Sequence, residues 1–361
     1  MTPPRLNRRA ALIGGLGLLA GSACASAPMP SLKSAAAGRG LLYGAAIEPQ
    51  SVQGDADFAA LIAEQCAILT PENAMKWDAL RPSEGSFDFT TADQLAGIAK
   101  SNGVPMHGHC LVWHETIPDW LTPALRAGRG EQLLVQHIDT VVHRYAGAVR
   151  SWDVVNEGIE RNDGRPDGLR VSPWFKALGP DYFDIAFGAA HDADPKALLA
   201  LSDYGFEYDD ETWMVEKRGT TLTFLRDLLQ RGVPVQALAL QGHLWGERPP
   251  AFGQGLADFL KAVSDLGLKI LITELDVSDQ NIPGDAKTRD LIVADNYARF
   301  LETVLGNRAV EMVVTWGLTD RHTSKSTFFP RSDGDPVRPL PFDKDLLPKP
   351  AALAMAKAFG A

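Results

Sequence analysis

The sequence is poor in cysteine, in positive charge and in long apolar runs. It holds 3 cysteines in 361 residues, and only Cys66 and Cys110 lie beyond the first thirty positions. A disulfide between these two stays open, but buried free thiols are the preferred interpretation, because unpaired cysteine is among the most buried residue types. An apolar run over Ala10–Ala20 is too short for a confident membrane span. We therefore predict no membrane-spanning segment.

Basic residues are fewer than acidic residues. Lys and Arg number 35 against 45 Asp and Glu, which gives a net charge of −10 and a pI near 5.3. Proteins that bind nucleic acids or anionic membranes carry clustered positive charge instead. This balance argues against both kinds of partner and for a neutral or cationic ligand.

Because no repeat, low-complexity linker or second domain boundary follows residue 40, we predict a single folded domain.

The first residues have the layout of an export signal. Arg5, Arg8 and Arg9 precede the apolar run, and small residues follow through Ala27. This order is typical of a secretory signal. The adjacent arginines are typical of a twin-arginine signal. We therefore predict export to the periplasm or the extracellular space.

The predicted export signal also sets the first domain boundary of the chain. Cleavage is expected after Ala25 or Ala27, and Pro28 disfavours the second position. Lipid attachment at Cys24 is a less favoured alternative, because the residues before it fit a lipobox poorly. We divide the chain into an export signal over residues 1–27, a short spacer over 28–40 and the main domain over 41–361.

From residue 41 onward, short β-rich runs alternate with longer amphipathic stretches. Eight strands with helices between them predict an α/β fold of the (β/α)8 TIM-barrel type, with an open doubly wound sheet as the alternative. The candidate strands are Leu41–Ile47, Ala67–Leu69, Pro105–His109, Val149–Val155, Leu198–Ser202, Val235–Leu240, Lys269–Thr273 and Glu311–Trp316. The candidate helices include Phe183–Ala193, Thr220–Arg231, Leu256–Gly267 and Ala294–Gly306.

Polar and ionisable residues cluster where these strands end. In barrel enzymes the active site is built at the carboxyl ends of the strands, whereas residues in mid-strand fill the core. Nine such residues at one edge predict a site there. They are Glu72, His109, Asn156, Glu157, Asp203, Gln241, His243, Glu274 and Trp316.

Two of these strand ends carry a glutamate with a second polar residue next to it or two positions away. Asn156 and Glu157 place an amide beside a carboxylate, and Glu274 and Asp276 stand at i and i+2, on one face of a strand. Hydrolysis of a glycosidic bond needs one protonated carboxyl group and one ionised carboxylate. Each glutamate taken alone is as readily a helix cap or an ion-pair partner, so the pair needs further support.

Six colinear motifs supply that support. The chain resembles glycoside hydrolase family 10, the xylanases, over residues 41–359. The motifs are Trp152-Asp153-Val154-Val155-Asn156-Glu157, Ile272-Thr273-Glu274-Leu275-Asp276, Thr70-Pro71-Glu72-Asn73-Ala74-Met75-Lys76-Trp77, Gly108-His109-Cys110-Leu111-Val112-Trp113-His114, Gln241-Gly242-His243, and Thr315-Trp316-Gly317-Leu318-Thr319-Asp320.

The resemblance implies a retaining endo-β-1,4-xylanase with Glu157 as acid/base and Glu274 as nucleophile. His243 and Asp276 would support the nucleophile, and Tyr204 would line the leaving-group side. No cofactor or metal ion is implied, and we expect a monomer whose partners are xylan and xylo-oligosaccharides. Substrate-binding roles fall on Glu72, Asn73, Lys76, His109, Trp113, Asn156, Gln241, His243 and Trp316.

Three other functions are open at this stage. Activity on β-1,4-glucan or aryl cellobiosides is the nearest, because xylose and glucose differ by one hydroxymethyl group, worth about 1–3 kcal/mol in a pocket. A metal-dependent hydrolase is suggested by His107 and His109, whose spacing seats two imidazoles on one strand face. A catalytically silent carbohydrate-binding barrel is the third.

The sequence departs from the family pattern at Ser324. The family places a second tryptophan eight residues after the one that corresponds to Trp316. A serine there removes an aromatic surface of about 150–250 Å². We expect either weaker binding near the scissile bond or acceptance of more decorated xylan, and the neighbouring Phe328 and Phe329 are candidates for a replacement ring.

Overall fold

A computed structural model describes residues 30–360. The predicted export signal over residues 1–27 lies outside that range. Within the described range, no helix combines the length and the hydropathy that crossing a bilayer requires.

Eight parallel strands close into a barrel. They are β1 (Leu42–Ile47), β2 (Ile68–Pro71), β3 (Met106–Gly108), β4 (Val149–Asn156), β5 (Leu198–Asp203), β6 (Ala237–Leu240), β8 (Lys269–Ser278) and β9 (Val310–Thr315). Neighbours pair in chain order from β1 to β6, then β6 pairs with β8, β8 with β9, and β9 returns to β1. The prediction of a (β/α)8 barrel is confirmed, and the open sheet is excluded by this closure.

One short strand lies outside the barrel ring. Strand β7 (His243–Trp245) pairs in parallel with the second half of β8, with His243 opposite Asp276. Strand β8 is therefore ten residues long and runs to Ser278, whereas we expected it to end at Thr273. Glu274 consequently lies inside a strand, beside the irregular pairing of β8 with β9 between Ile272 and Leu275.

Helices surround the barrel. Two of them begin earlier than expected, because α10 starts at Thr212 and α12 starts at Ala286. The helices are α1 (Leu32–Ala37), α2 (Pro49–Gln53), α3 (Ala56–Gln65), α4 (Trp77–Leu80), α5 (Thr90–Ser101), α6 (Leu121–Arg126), α7 (Gly130–Tyr145), α8 (Pro173–Leu178), α9 (Tyr182–Ala193), α10 (Thr212–Gln230), α11 (Gln254–Asp265), α12 (Ala286–Val304), α13 (Lys325–Phe328) and α14 (Pro350–Ala358). Short 3-10 turns lie at Arg161–Asp163, Gly179–Asp181 and Asp320–His322.

Alternation along the strands divides the core into two parts. In β6, Leu238 and Leu240 join the large apolar cluster between strands and helices, whereas Ala237 and Ala239 belong to a smaller second cluster. Successive side chains of a strand point to opposite faces, which places the small residues inside the barrel. Alanine there leaves room for the larger Met312 and Leu271 of the same inner cluster.

Part of the expected spacer is folded. Helix α1 lies within residues 28–40, and Ser31 caps it by accepting from the Ser34 amide. Leu32 is fully buried, and its backbone amide donates to the Gln65 side chain at 2.8 Å. The packed domain therefore begins near residue 31, because Leu32, Ala35 and Ala36 give this segment an apolar face.

Candidate active site

The polar residues expected at the strand ends do meet at one edge of the barrel. Glu72, His109, Glu157, Gln241 and Trp316 each follow directly after a strand. Asn156 and Asp203 are the last residues of β4 and β5, and His243 opens β7. This edge forms the floor of the candidate active site.

Glu157 is held in an unusual backbone conformation. Its φ of 56° is left-handed, which non-glycine residues rarely adopt. Two contacts hold it: the Glu157 amide donates to the Ser202 carbonyl at 2.8 Å, and Arg170 Nε donates to the Glu157 carbonyl at 2.6 Å. Such strain persists only where the surroundings fix it and is frequent at active sites.

The Glu157 carboxylate faces an amide and an imidazole. Gln241 Nε2 donates to Glu157 Oε1 at 3.0 Å and lies 3.3 Å from Asn156 Oδ1. His114 Nδ1 lies 3.7 Å from Glu157 Oε2, and Arg170 Nη2 lies 4.0 Å from the same oxygen. Burial, followed by the positive charge of Arg170, lowers the pKa of His114, which favours a neutral imidazole beside this carboxyl group.

Glu274 has a different partner set. His243 Nε2 lies 3.2 Å from Glu274 Oε2, and His109 Nδ1 lies 3.8 Å from Glu274 Oε1. The Glu274 side chain is 6% exposed, against 14% for Glu157. On its other side, His243 Nδ1 is 3.1 Å from Asp276 Oδ1. Glu274, His243 and Asp276 therefore form a continuous chain of polar contacts.

Lys325 extends this chain of polar contacts beyond Asp276. Its ammonium lies 3.0 Å from Asp276 Oδ2, and the Asp276 side chain is fully buried. Burial alone would raise the pKa of Asp276, but Lys325 and His243 outweigh it and lower that pKa. For His243, burial and Lys325 act to lower the pKa, yet Asp276 and Glu274 raise it to about 9. The imidazole beside Glu274 is therefore cationic near neutral pH, which stabilises the ionised carboxylate.

His107 and His109 are engaged by Asp153. His107 Nε2 lies 3.0 Å and His109 Nδ1 2.9 Å from Asp153 Oδ2, and Ser151 Oγ is 2.8 Å from His107 Nδ1. Ligand-capable atoms of His109, Asp153 and Glu274 lie within 4.8 Å of one another. Because both His107 nitrogens are occupied by hydrogen bonds, this histidine has no lone pair free for a metal ion.

Two of the residues expected on the glycone side, Asn73 and Lys76, are linked to each other and to Glu48. Lys76 Nζ donates to Asn73 Oδ1 at 2.9 Å, and Asn73 Nδ2 donates to Glu48 Oε1 at 2.7 Å. Glu72 is 8% exposed, and burial raises its pKa to about 7, with Glu48 and Glu274 adding to the rise. Glu48 is a member of this group that sequence reasoning missed.

Two tryptophans flank the ammonium of Lys76. Its Nζ lies 4.9 Å from the Trp113 ring centre and 6.0 Å from that of Trp316. His109 lies edge-on to Trp316 with ring centres 5.3 Å apart, and His243 does the same at 6.4 Å. The two rings thus border the site that contains Glu274, as aromatic walls for a sugar would.

Ser324 faces Glu72, and this contact opposes the rise of the Glu72 pKa. Of the two neighbouring rings, Phe328 is 73% exposed, and the centre of the Phe329 ring lies 4.8 Å from Lys325 Nζ. The loop after β9 therefore reaches the site through two polar contacts, from Ser324 to Glu72 and from Lys325 to Asp276.

Other residues divide between site and scaffold. Asp203, expected among the edge residues, is fully buried and binds Lys217 Nζ at 2.6 Å and the Ile159 amide at 3.0 Å, so it supports the scaffold. Trp152 is 1% exposed, in keeping with the core role expected for it. Cys66 and Cys110 are buried free thiols, which confirms the preferred interpretation.

Sequence reasoning missed Asp153, Arg170 and Lys325. Asp153 follows Trp152 in β4, and a charged residue in an otherwise apolar strand is the signal that could have identified it. Arg170 lies in a loop and Lys325 opens the one-turn helix α13, where no periodicity predicts which side chain turns inward. Only the fold shows that they reach Glu157 and Asp276.

Comparison with known proteins gives a consistent picture. The family model described as "Glycosyl hydrolase family 10" matches residues 31–358. Endo-1,4-beta-xylanase B of Paenibacillus barcinonensis is 33% identical over 344 residues, which cover 90% of this chain and 97% of that protein. A thermostable celloxylanase of Thermoclostridium stercorarium is 33% identical and covers 86% of this chain and 83% of its own length.

Comparison with solved structures also finds xylanases. Native xylanase 10B from Thermotoga maritima superposes with a TM-score of 0.80 at 30% identity, covering 91% of this chain and 98% of that chain. Xylanase 10B from Thermotoga petrophila, solved with xylobiose, gives a TM-score of 0.79 at 30% identity, covering 91% and 97%.

Proposed function

The chain belongs to glycosyl hydrolase family 10, and from that premise we propose that it is a retaining endo-1,4-β-xylanase that uses Glu157 as acid/base and Glu274 as nucleophile. The observation that carries the assignment of roles is the contrast between the two carboxyl groups. Glu274 lies 3.2 Å from a cationic His243, whereas Glu157 faces the amide of Gln241 and the neutral His114. Two carboxyl groups in different surroundings at one strand edge suit acid and nucleophile.

The first step breaks the glycosidic bond. The Glu274 carboxylate attacks the anomeric carbon, and Glu157 gives its proton to the oxygen that leaves with the aglycone. In this step His243 and Asp276 orient Glu274, and the amide of Asn156 is placed to hold a sugar hydroxyl beside it.

The second step releases the sugar. Once Glu274 is esterified its charge is gone, and the ionised Glu157 takes a proton from water as that water attacks the anomeric carbon. The bond to Glu274 breaks, and the product keeps the β configuration because the carbon is inverted twice. Glycone hydroxyls are assigned to Glu72, Asn73, Lys76 and His109, and ring faces to Trp113 and Trp316.

Hydrolysis of xylohexaose followed by proton NMR tests the proposed activity. We expect the β-anomer of shorter xylo-oligosaccharides to form first, and slower turnover of cellohexaose under the same conditions. Initial release of the α-anomer would overturn retention, and faster turnover of cellohexaose would favour a glucanase. We expect full activity after treatment with a chelator. If the chelator abolished the activity and added metal ions restored it, the metal-dependent hydrolase would be favoured.

We propose further that residues 1–27 direct export. The support is the order of Arg5, Arg8 and Arg9 before the apolar run. Replacing Arg8 and Arg9 together by lysine, in a bacterial host with twin-arginine export, should leave active enzyme in the cytoplasm. An unchanged share of activity outside the cytoplasm would contradict this.

A further inference from the structure

One short segment touches both of the carboxyl groups assigned to catalysis. Gln241 Nε2 donates to Glu157 Oε1 at 3.0 Å, and His243 Nε2 lies 3.2 Å from Glu274 Oε2. Gly242 lies between them with a left-handed φ of 79°, so the backbone turns sharply there. We call residues 241–243 the bridging segment. The positions of its two polar side chains depend on how this backbone is held.

One edge of the bridging segment is fixed by β8. The Asp276 amide donates to the Gly242 carbonyl at 3.3 Å, and the Glu274 amide donates to the Gln241 carbonyl at 2.8 Å. Strand β7, which begins at His243, pairs with β8 and is an edge strand of the sheet among the described residues. An edge strand presents backbone N–H and C=O groups that need partners other than a second strand.

Two side chains from the loop after β5 occupy that second edge. The Gly242 amide donates to Glu207 Oε1 at 3.3 Å. At the end of β7, the Tyr208 hydroxyl accepts from the Trp245 amide at 2.7 Å and donates to the Trp245 carbonyl at 3.3 Å. The rings of Tyr208 and Trp245 also stack, with their centres 5.1 Å apart. These contacts take the place of a neighbouring strand, and we call Glu207 and Tyr208 the β7 clamp.

The Glu207 carboxyl group lies out of reach of a substrate. It is 1% exposed, and its second oxygen, Oε2, accepts from the Phe206 amide at 2.8 Å. Burial raises the pKa of Glu207, while the backbone amides and the cationic His243 oppose that rise. A buried carboxyl group is costly unless its oxygens have partners, and here both oxygens have them. Any effect of Glu207 on the reaction therefore runs through the bridging segment.

The loop that carries the β7 clamp is itself anchored to two helices. Arg218 Nε of α10 donates to the Phe206 carbonyl at 2.7 Å, and the Tyr208 amide donates to the sulfur of Met214 at 3.4 Å. The Phe206 ring stacks on Phe259 of α11, with ring centres 5.2 Å apart. The clamp is thus held by the outer helices of the barrel and can serve as a fixed support.

We infer that the β7 clamp positions both catalytic carboxyl groups by fixing the bridging segment at the edge that β8 leaves open. Glu207 has the larger share, because it holds the middle residue of that segment, whereas Tyr208 acts two residues further along the strand. Catalysis is sensitive to such support, since misplacement by about 1 Å can cost about 10²-fold in rate. The inference rests on the proposed function, because it takes Glu157 and Glu274 as the reacting pair.

The rate of covalent labelling at Glu274 tests the clamp. A 2-deoxy-2-fluoro-β-xylobioside with a dinitrophenyl leaving group reports attack by the nucleophile alone, because dinitrophenolate departs without a proton. Glu207→Gln keeps the size of the side chain but replaces one accepting oxygen by an NH2 group. The first-order labelling constant at saturating reagent should fall about tenfold or more, while the reagent concentration for half of that rate changes by less than about threefold. A lost sugar contact would change the second quantity instead.

Two further variants accompany Glu207→Gln. Tyr208→Phe removes one hydroxyl and keeps the ring, so it should slow labelling by about threefold, the usual worth of one hydrogen bond. Asp194→Asn is the matched control. Asp194 is buried, accepts from the Lys196 amide at 3.0 Å and follows α9 at the amino end of β5, the end of the barrel opposite to the site. This variant should lose stability and keep the parent labelling constant.

The outcomes separate the clamp from a general loss of stability. A folded Glu207→Gln variant that is labelled at the parent rate overturns the clamp. If thermal melting shows that this variant is unfolded, an unchanged labelling constant in Tyr208→Phe overturns the clamp instead. An equal fall in Asp194→Asn would show that stability alone sets the rate, which also contradicts the inference. A parent chain that takes no label at Glu274 would refute the proposed function.

Discussion

Lys325, the first residue of α13, contacts the buried Asp276; it directly follows Ser324, the position at which the family places its second tryptophan. It supplies a positive charge to a chain of contacts that ends at Glu274. Through this charge it helps to keep Asp276 ionised, and an ionised Asp276 keeps His243 cationic and oriented. We regard Lys325 as a positioning residue, since its contact to Glu274 runs through two others.

Lys325→Met should therefore change the pH dependence of catalysis. Without the lysine, the pKa of Asp276 rises, so Asp276 becomes protonated at higher pH and His243 loses its partner. We expect the acid limb of the kcat/KM profile to move upward by about one pH unit, the usual effect of a charge within a few ångströms. Lys325→Arg keeps the charge and should keep the parent limb. A Met variant with a lower rate but an unmoved profile would show a merely structural role.

The raised pKa of Glu72 predicts that the free energy of unfolding depends on pH. Its folded pKa, raised mainly by burial, is about 7, against 4.5 for an ordinary glutamate. The folded state thus holds this proton more tightly than the unfolded state. The stability from this group is present below pH 4.5 and is lost as the pH rises through 7.

Glu72→Gln removes this titration. Relative to the parent, the variant should gain stability as the pH rises from about 4.5 to 7, by an amount on the order of 3 kcal/mol. Denaturant unfolding across that pH range measures the difference, with Glu64→Gln on the exposed surface of α3 as the control. A constant difference in unfolding free energy between the Glu72→Gln variant and the parent across the range would show that Glu72 is not buried as a neutral acid.

Among the elements, the short strand β3 sets the position of His109. Gly108 ends this strand against β4, and a Cβ there would lie 2.1 Å from the indole of Trp152. Trp152 is 1% exposed and has no room to retreat. The close approach of two strands at this point is thus possible only with glycine.

Gly108→Ala should destabilise the fold by roughly 1–3 kcal/mol or more, as overpacking of a core does. Since the neighbouring His109 would move, kcat should fall as well. Gly97→Ala is a matched control, because Gly97 lies on exposed α5 with nothing near an added Cβ, and alanine there should be neutral or stabilising. Equal stability of the two variants, measured by thermal unfolding, would contradict this account of β3.

The first residues of α10 and α12 were predicted too late in the sequence, whereas α9 and α11 were predicted to within two residues at each end. The first turns of α10 and α12 bury polar side chains: Lys217 and Arg218 in α10, Arg289 and Asp290 in α12. These groups form buried ion pairs, such as Arg289 with Asp279 at 3.0 Å. Apolar periodicity is the signal for an amphipathic helix, so a helix that packs through ion pairs begins before the signal does.

At the scale of the whole molecule, the barrel was predictable because its strands are short apolar runs in regular alternation with helices. The edge residues were predictable for the same reason, since parallel strands carry their ends to one side. The strand β7 was not, because His243, Leu244 and Trp245 are too few to form a pattern. The contact of Lys325 in α13 with Asp276 in β8 joins residues far apart in sequence, so no local pattern predicts it.

In the proposed mechanism, Glu274 becomes covalently glycosylated. A 2-deoxy-2-fluoro-β-xylobioside with a dinitrophenyl leaving group slows release of the intermediate, so peptide mass spectrometry can locate it. We predict one fluoroxylobiosyl group per chain, attached to Glu274, and none in Glu274→Ala. A label on Glu157 or on another carboxylate, or turnover by Glu274→Ala at most of the parent rate, would contradict the assignment.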